Sequence, residues 1–217
     1  DIKGHNILFH SPLGSGLVFV KIADLGLVKI QQNALMSTKM TVAGTFPYMS
    51  PEVMLQNSKD VKADAKVDVW AAGILFYQLF TQEFPFDSST PQSIMMFMMN
   101  KKLKRPSSVK DKVAWDLISK MLNFDRNKRL SAEKALNHEF FTGKKSNEGV
   151  TAEAVRLAQI VQTAKQNGNE KITAMETDAK FIIPVSDIKP ILNVDPEAEN
   201  EQLKKQINTR GLKSKTN

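Results

Sequence analysis

The run Asp1-Ile2-Lys3-Gly4-His5-Asn6-Ile7-Leu8 opens the chain, and two further short motifs follow it in order. These motifs are Asp24-Leu25-Gly26 and Gly44-Thr45-Phe46-Pro47-Tyr48-Met49-Ser50-Pro51-Glu52. Each one places charged, amide or hydroxyl side chains beside glycine or proline, a composition typical of loops, and loops carry much of the chemistry of folded proteins. The order of the three motifs decides how the remaining sequence is interpreted.

The polar side chains of these motifs suit phosphoryl transfer. Asp1 and Lys3 are two residues apart, so in an extended loop both point the same way. An acid that accepts a hydroxyl proton beside a cation that steadies a phosphoryl group meets the local need of that reaction. Asn6 and Asp24 flank a predicted hairpin whose bend can bring them together, and their oxygens are hard ligands suited to Mg2+.

The three motifs, in this order, resemble the C-terminal lobe of a eukaryotic protein kinase of the Ser/Thr type. Their patterns are Asp-x-Lys-x-x-Asn, Asp-x-Gly and Gly-Thr-x-x-Tyr-x-x-Pro-Glu. The resemblance covers residues 1 to about 142. It implies that the γ-phosphate of ATP is transferred to Ser or Thr hydroxyls of a protein substrate, with ATP and Mg2+ as cofactors. Within the family, Ser88-Ser89-Thr90-Pro91-Gln92 resembles the Unc-51-like kinases faintly.

The resemblance also implies roles for single residues in the opening motifs. Asp1 would be the catalytic base that accepts the substrate hydroxyl proton, and Lys3 would contact the transferring phosphate. Asn6 and Asp24 would hold Mg2+, and Leu8 would lie under the adenine ring. The implied ATP-binding set is therefore Lys3, Asn6, Leu8 and Asp24.

Further implied roles concern the substrate and the scaffold. Thr45 would bond the catalytic Asp and Lys and shape the floor for the substrate peptide. Glu52 would pair with Arg129 as a buried structural ion pair, and Asp68 would anchor the catalytic loop from a buried helix.

The resemblance makes residues 27–43 the activation loop. Its candidate phosphorylation sites are Ser37, Thr38 and Thr41, and Thr41 is the first choice because it is nearest to Gly44.

The sequence departs from the family pattern at several positions, Arg126 in place of a common Pro among them. Leu25 stands where the family prefers Phe, and Gly4 stands where Pro is more usual. The Gly-rich loop, the strand Lys and the helix Glu of the family are not found in the sequence, so we expect a fragment without the N-terminal lobe that is inactive by itself. The alternative is a pseudokinase or kinase-derived scaffold that binds partners without transferring phosphate.

Composition sets outer limits on the class of protein. The 217 residues are 41% hydrophobic and 24% charged, which is typical of a globular domain. The absence of cysteine excludes disulfides and cysteine-ligated metal sites. The longest apolar stretch, Val69 to Tyr77, is well short of the ~20 residues of a membrane helix, and no leader segment is recognisable. We therefore expect no membrane partner and a cytoplasmic protein.

The net charge of +7 is spread along the chain. The densest basic cluster lacks the interleaved aromatic residues of a nucleic-acid interface, so we expect no nucleic-acid partner. It fits a solvated helix end, while an acidic or phosphate-bearing ligand remains open. The cluster consists of Lys101, Lys102, Lys104 and Arg105.

Periodicity predicts a fold that is mainly α with a small β-hairpin, followed by a partly helical or disordered tail. The resemblance implies that the first part is a protein-kinase-like C-terminal lobe. Strands are predicted at residues 6–9 and 17–22, a long loop at 23–48, and helices at 64–82, 91–102, 113–122 and 131–138. Ser131 is the predicted N-cap of the last helix. The domain boundary is placed at about residue 142. In the tail, 143–217, an amphipathic helix over 151–166 could dock on a partner, and residues 180–217 are expected to be extended or disordered.

Overall fold

The computed structural model describes residues 1–12, 14–25, 38–40, 45–55, 61–170, 172–192, 195, 198–199 and 201–206. The chain divides into two compact units. The first unit contains Asp1–Ile7 and Ile22–Lys145, and the second contains Leu8–Lys21 and Ser146–Asn217. The second unit is thus built from two pieces that are far apart in sequence.

The fold is mainly helical with small sheets, as the sequence predicts. The strands are β1 (Ile7–His10), β2 (Leu17–Ile22), β3 (Thr38–Met40), β4 (Val61–Ala63) and β5 (Ile183–Pro184). The helices are α1 (Pro51–Met54), α2 (Lys66–Thr81), α3 (Pro91–Asn100), α4 (Lys112–Met121), α5 (Ala132–Leu136), α6 (Glu139–Thr142), α7 (Ala152–Gln166) and α8 (Val185–Leu192). Short 3-10 turns include Gly4–Asn6, Phe46–Tyr48 and Lys144–Asn147.

Side-chain caps define where the helices of the first unit begin. Thr90 caps α3 by accepting from the Ser93 amide, and Asp111 caps α4 by accepting from two backbone amides of its first turn. Hydrogen bonds to those two amides lower the pKa of Asp111. Ser131, the predicted N-cap, caps α5, and His138 starts a separate short helix, α6, which the sequence did not predict.

The core of the first unit forms where α2 packs on α4. Trp70, Ile74, Ile118 and Leu122 are among its fully buried side chains. Gly73 permits the close approach, because a Cβ there would lie 2.9 Å from the Leu122 Cδ2. The sequence predicted a helix buried on all sides over 64–82, but its last turn is exposed, since Leu79 is 72% exposed.

One short strand interrupts the region that the sequence predicts as a loop. Strand β3 lies within residues 23–48 and pairs antiparallel with β4, with Lys39 opposite Lys62. The expectation of an unbroken loop is therefore wrong over Thr38–Met40. The partner strand lies about twenty residues further along the chain, and local periodicity does not reveal such a pairing.

The second unit combines the predicted hairpin with part of the tail. Its sheet has the order β1-β2-β5, and β2 pairs antiparallel with β5 through Leu17 opposite Pro184 and Val18 opposite Ile183. The apolar stripe of α7, which the sequence left either free or docked on a partner, is buried within this unit; its buried members are Ala154, Leu157 and Ala158.

The tail after residue 180 also differs from the expectation of extended or disordered chain. Residues 183–192 form β5 and α8. Their structure depends on distant contacts, because the Val185 amide donates to the Gly16 carbonyl and Thr151 donates to Asp187. Within the described residues, no helix is both long and apolar enough to cross a membrane.

Candidate active site

The opening loop folds its polar side chains onto one another. A 3-10 turn over Gly4–Asn6 is closed by the Asn6 amide, which donates to the Lys3 carbonyl. The Lys3 Nζ lies 2.6 Å from the Asp1 Oδ2. The side-chain nitrogen of Asn6 donates to the Asp1 carbonyl at 2.9 Å and more weakly to the Asp1 Oδ2 at 3.3 Å. Both the backbone and the carboxylate of Asp1 are therefore held by residues of the same turn.

Thr45 joins this loop from a distant part of the sequence. The Lys3 Nζ donates to the Thr45 Oγ1 at 3.0 Å. The amide and hydroxyl of Thr45 reach the Asp1 Oδ1 at 3.4 Å and 3.3 Å. Because these contacts are long, Oδ1 is the less firmly held oxygen of Asp1. The structure thus brings together three predicted site residues, Asp1, Lys3 and Thr45.

A small cleft of about 70 Å³ lies beside Asp1 and Thr45. Ser50 and Asp68 also line it. Ser50 is buried, and its Oγ has no hydrogen-bond partner in the described part of the chain. Sequence reasoning missed Ser50, although its place between Tyr48 and Pro51, inside one of the quoted motifs, was a signal that could have found it.

Asp68 faces the cleft from the first turn of α2. The residue as a whole is exposed, but its carboxyl group is partly shielded from water. This desolvation raises the pKa of Asp68, and the charge of the N-terminal amine opposes the rise. Within the described residues no hydrogen bond anchors its carboxylate, so the predicted anchoring of the catalytic loop by Asp68 stays a prediction.

The two predicted metal ligands lie near each other along the backbone. The Ala23 amide donates to the Asn6 carbonyl at 2.7 Å. Because Ala23 directly precedes Asp24, this bond holds the backbone of Asp24 close to that of Asn6. The side-chain nitrogen of Asn6 faces Asp1, so the amide oxygen is turned away from that carboxylate. Asp24 is exposed and has a left-handed backbone with φ 57°, a strained conformation that is frequent at functional sites.

One carboxylate and one amide oxygen fit Mg2+, which usually takes one or two protein oxygens together with phosphates. The described residues hold no cluster of three or more His, Asp or Glu side chains that could form a cage for a metal by themselves. The donor set is therefore suited to a metal that arrives with a phosphate ligand.

Other predicted site residues lie elsewhere. Leu8 is in strand β1 of the second unit and is 51% exposed. Among the candidate phosphorylation sites, Thr38 begins β3, whereas Ser37 and Thr41 lie outside the described residues.

Arg129 and Glu52 form a bidentate ion pair in the first unit. The Arg129 Nη1 and Nη2 lie 2.7 Å and 2.8 Å from the two Glu52 oxygens. Two further donors of Arg129 reach the carbonyls of Lys66 and Asn123, and the guanidinium lies 5.0 Å from the Trp70 ring centre. Arg129 is only 2% exposed, so this buried, extensively hydrogen-bonded pair belongs to the scaffold beside the site.

The chain resembles several serine/threonine-protein kinases from different organisms. It is 31% identical to human serine/threonine-protein kinase ULK1 over 146 residues, which is 64% of this chain and 13% of that protein. It is 34% identical to RAD53 of Saccharomyces cerevisiae over 151 residues, 64% of this chain and 18% of that protein. The human SNF-related serine/threonine-protein kinase is 31% identical over 144 residues, 66% of this chain and 17% of that protein.

The chain spans about 9–20% of the length of the curated relatives that it matches. A family model described as the protein kinase domain matches residues 1–141. This match covers more than half of the 217 residues and includes the loop that holds Asp1, Lys3 and Asn6, together with Thr45, Glu52 and Arg129. The chain therefore belongs to the protein kinase domain family.

Proposed function

We propose that the protein transfers the γ-phosphate of ATP to Ser or Thr hydroxyls of protein substrates. The observation that carries this proposal is the position of the Lys3 Nζ, 2.6 Å from the Asp1 Oδ2 and 3.0 Å from the Thr45 Oγ1. The three side chains form a compact group of acid, cation and hydroxyl at the edge of a cleft. Residues 1–142 would be the kinase part of the chain, and 143–217 a tail outside it.

In the proposed reaction, Asp1 accepts the proton of the substrate hydroxyl as that oxygen attacks the γ-phosphorus. The loosely held Oδ1 is the oxygen suited to this task, since Oδ2 is occupied by Lys3. The Lys3 ammonium would stabilise the negative charge of the transferring phosphoryl group. Thr45 orients both side chains and borders the place of the substrate peptide.

Asn6 and Asp24 would hold Mg2+. When bound with ATP, the metal ion supplies positive charge that offsets the charge developing on the phosphate oxygens. Asn6 contributes an amide oxygen, while its nitrogen keeps Asp1 in place. Leu8 would contact the adenine ring. We further propose a cytoplasmic location, where ATP and protein substrates are both available.

The alternative function is a binding scaffold that does not transfer phosphate. This alternative gains ground for the 217-residue chain alone, because the Gly-rich loop and the strand Lys that hold the phosphates in the family are not found in its sequence. We therefore expect negligible phosphate transfer by the isolated chain, whatever the full-length protein does.

Kinetics of Asp1→Asn in the full-length protein test the proposal. We expect transfer from ATP to a Ser-containing peptide to fall by about 10²–10⁴-fold, with nucleotide binding retained. A peptide with Tyr in place of Ser should remain unmodified. Asp178→Asn is the matched control, since Asp178 caps a turn of the second unit, and it should keep wild-type activity.

Two results would contradict the proposal. Asp1→Asn with near wild-type turnover would remove Asp1 from its catalytic role. A wild-type full-length protein that binds Mg-ATP but transfers no phosphate would establish the scaffold function instead.

A further inference from the structure

Helix α3 carries an apolar stripe on the side away from the core. Its inner side chains Ile94 and Met98 are almost completely buried. On the outer side, Met95, Met96 and Met99 are 40%, 55% and 61% exposed. Residues three and four apart on a helix are neighbours, so Met99 lies next to both of the others. The three thioethers therefore form one continuous surface, here named the methionine stripe.

A solvated helix would normally carry polar residues on this side. A single exposed apolar residue is common and needs no explanation, but three adjacent ones on a ten-residue helix form a patch. Methionine is also the apolar side chain that adapts best to varied partners, because it is unbranched and polarisable.

Three exposed lysines follow directly at the end of the helix. They are Lys101, Lys102 and Lys104. Within the described residues, no ion pair or side-chain hydrogen bond engages any of them. Arg105, the fourth member of the basic cluster, is different, because its guanidinium donates to the carbonyls of Val109 and Lys110. The three lysines are therefore a positive surface without a partner in the described structure.

Favourable interaction with the helix dipole explains only part of this arrangement. A cation near a helix C-terminus is stabilised by the last carbonyls, but Lys104 lies beyond the last turn. Lys101 also has a left-handed backbone with φ 52°, a conformation that usually falls to glycine or asparagine at the end of a helix. A lysine there costs stability, and this local cost is frequent where a residue serves binding.

We propose that the methionine stripe and the three lysines bind an acidic, apolar-bearing segment of a partner protein. The apolar side chains of the segment would pack on the methionines, and its carboxylates would meet the lysines. This proposal goes beyond phosphate transfer, because none of these residues belongs to the group around Asp1. A protein partner is favoured over a membrane surface, since helices that lie on membranes present Trp, Phe or Leu on the apolar side.

Direct binding of a designed probe to the full-length protein tests the proposal. The probe is a fluorescein-labelled amphipathic peptide of about four helical turns, with leucine on one side and glutamate on the other. A matched peptide carries glutamine in place of glutamate. We expect saturable binding of the glutamate peptide, weakened by salt, and at least about tenfold weaker binding of the glutamine peptide.

Two triple variants locate the site on the protein. Each triple variant should weaken binding at least about tenfold. The first combines Met95→Ser, Met96→Ser and Met99→Ser. The second combines Lys101→Glu, Lys102→Glu and Lys104→Glu. The charge-matched control replaces three other exposed lysines, Lys112, Lys128 and Lys134, by Glu, and it should bind as the wild type does. Circular dichroism verifies that all variants remain folded.

Three outcomes would overturn the proposal. The first is equal loss in the charge-matched control, which would mean that net charge alone attracts the peptide. The second is absence of peptide binding. The third is that the protein binds vesicles of phosphatidylcholine and phosphatidylserine but not the peptide, and that both triple variants lose the vesicle binding. This result would assign the surface to membranes. Because binding is measured without turnover, these outcomes are independent of the proposed kinase activity.

Discussion

Two ion pairs in the first unit show opposite designs. Arg129 and Glu52 meet through two short contacts, and Arg129 also donates to two backbone carbonyls. Lys3 and Asp1 meet through one short contact, while within the described residues the second oxygen of Asp1 accepts only the long contacts from Thr45. The first pair has most of its hydrogen-bonding groups engaged, whereas the second retains an oxygen that is weakly bonded.

This difference separates stability from chemistry. A buried ion pair with many hydrogen bonds is costly to break, because either partner alone would be an uncompensated charge. An incompletely bonded pair at the edge of a cleft can exchange its partners for a substrate at little cost. Substitutions in the two pairs, and in residues beside them, therefore test whether stability or activity responds.

Arg129→Ala is expected to have the largest effect on stability. It leaves the Glu52 carboxylate, whose side chain is only 10% exposed, without its counter-charge, and it removes the donors to two carbonyls. We expect the free energy of unfolding to fall by about 3–5 kcal/mol. Urea denaturation followed by tryptophan fluorescence measures this change.

The matched control is Arg156→Ala, which breaks an exposed pair between Arg156 and Glu153 on α7. Exposed pairs of this kind contribute little to stability, because water screens both charges. A comparable loss of stability in both variants would show that burial does not distinguish the two arginines.

Lys3→Ala tests the open pair and should lower activity more than stability. Removing one donor that stabilises transition-state charge typically costs about a hundredfold in turnover. The free energy of unfolding should change less than in Arg129→Ala, because the Asp1 carboxylate keeps its contacts with Asn6 and Thr45 when Lys3 is removed. The phosphotransfer rate of the full-length protein measures activity, and its urea midpoint measures stability. A large shift of the midpoint with unchanged turnover would show that Lys3 serves stability and not chemistry.

Thr45→Val should have a smaller effect, because Asp1 and Lys3 remain but lose the hydroxyl that orients them. The loss of a hydrogen bond of about 1 kcal/mol corresponds to roughly a fivefold lower turnover. Thr45→Ser keeps the hydroxyl and should restore most of the rate. Equal turnover of the Val and Ser variants would indicate that Thr45 only fills space.

Asp68→Asn should have the smallest effect, which depends on pH. Desolvation raises the pKa of Asp68 in the folded protein above the ordinary value of 3.8. The folded state then holds this proton more tightly than the unfolded state, so ionised Asp68 lowers stability as the pH rises from about 4 through the raised pKa. Near neutral pH the Asn variant should be more stable than wild type by less than about 1 kcal/mol, with the difference vanishing in acid. Thermal unfolding across this pH range measures it, and a difference that grows in acid would contradict the sign.

Local sequence signals predicted the helices well and the tertiary pairings poorly. Ser131 was identified as an N-cap because a capping hydroxyl acts on amides two or three residues away. The pairing of β2 with β5 depends on residues from opposite ends of the chain, which no local pattern encodes. Asp68 shows the same limit at the site, since the sequence indicated a carboxylate near Trp70 but not that the residue is exposed.

The site was accessible to sequence reasoning because its residues lie in short motifs with fixed spacing. The contacts of Thr45 with Asp1 and Lys3 follow the resemblance to the family. The unpartnered hydroxyl of Ser50 became visible only when its burial was known, because a serine in a loop carries no such signal in its sequence.

The two-piece path of the second unit has a consequence for the order of synthesis. Val18 and its partner Ile183 are about 165 residues apart, so at about 5–20 residues per second the β2 strand emerges roughly 10–30 s before β5 is made. During that interval the backbone groups of β2 that later face β5 remain available to other strands. A nascent chain stalled before residue 183 should therefore bind chaperones through residues 17–22, and this association should end once Ile183 and Pro184 have left the ribosome.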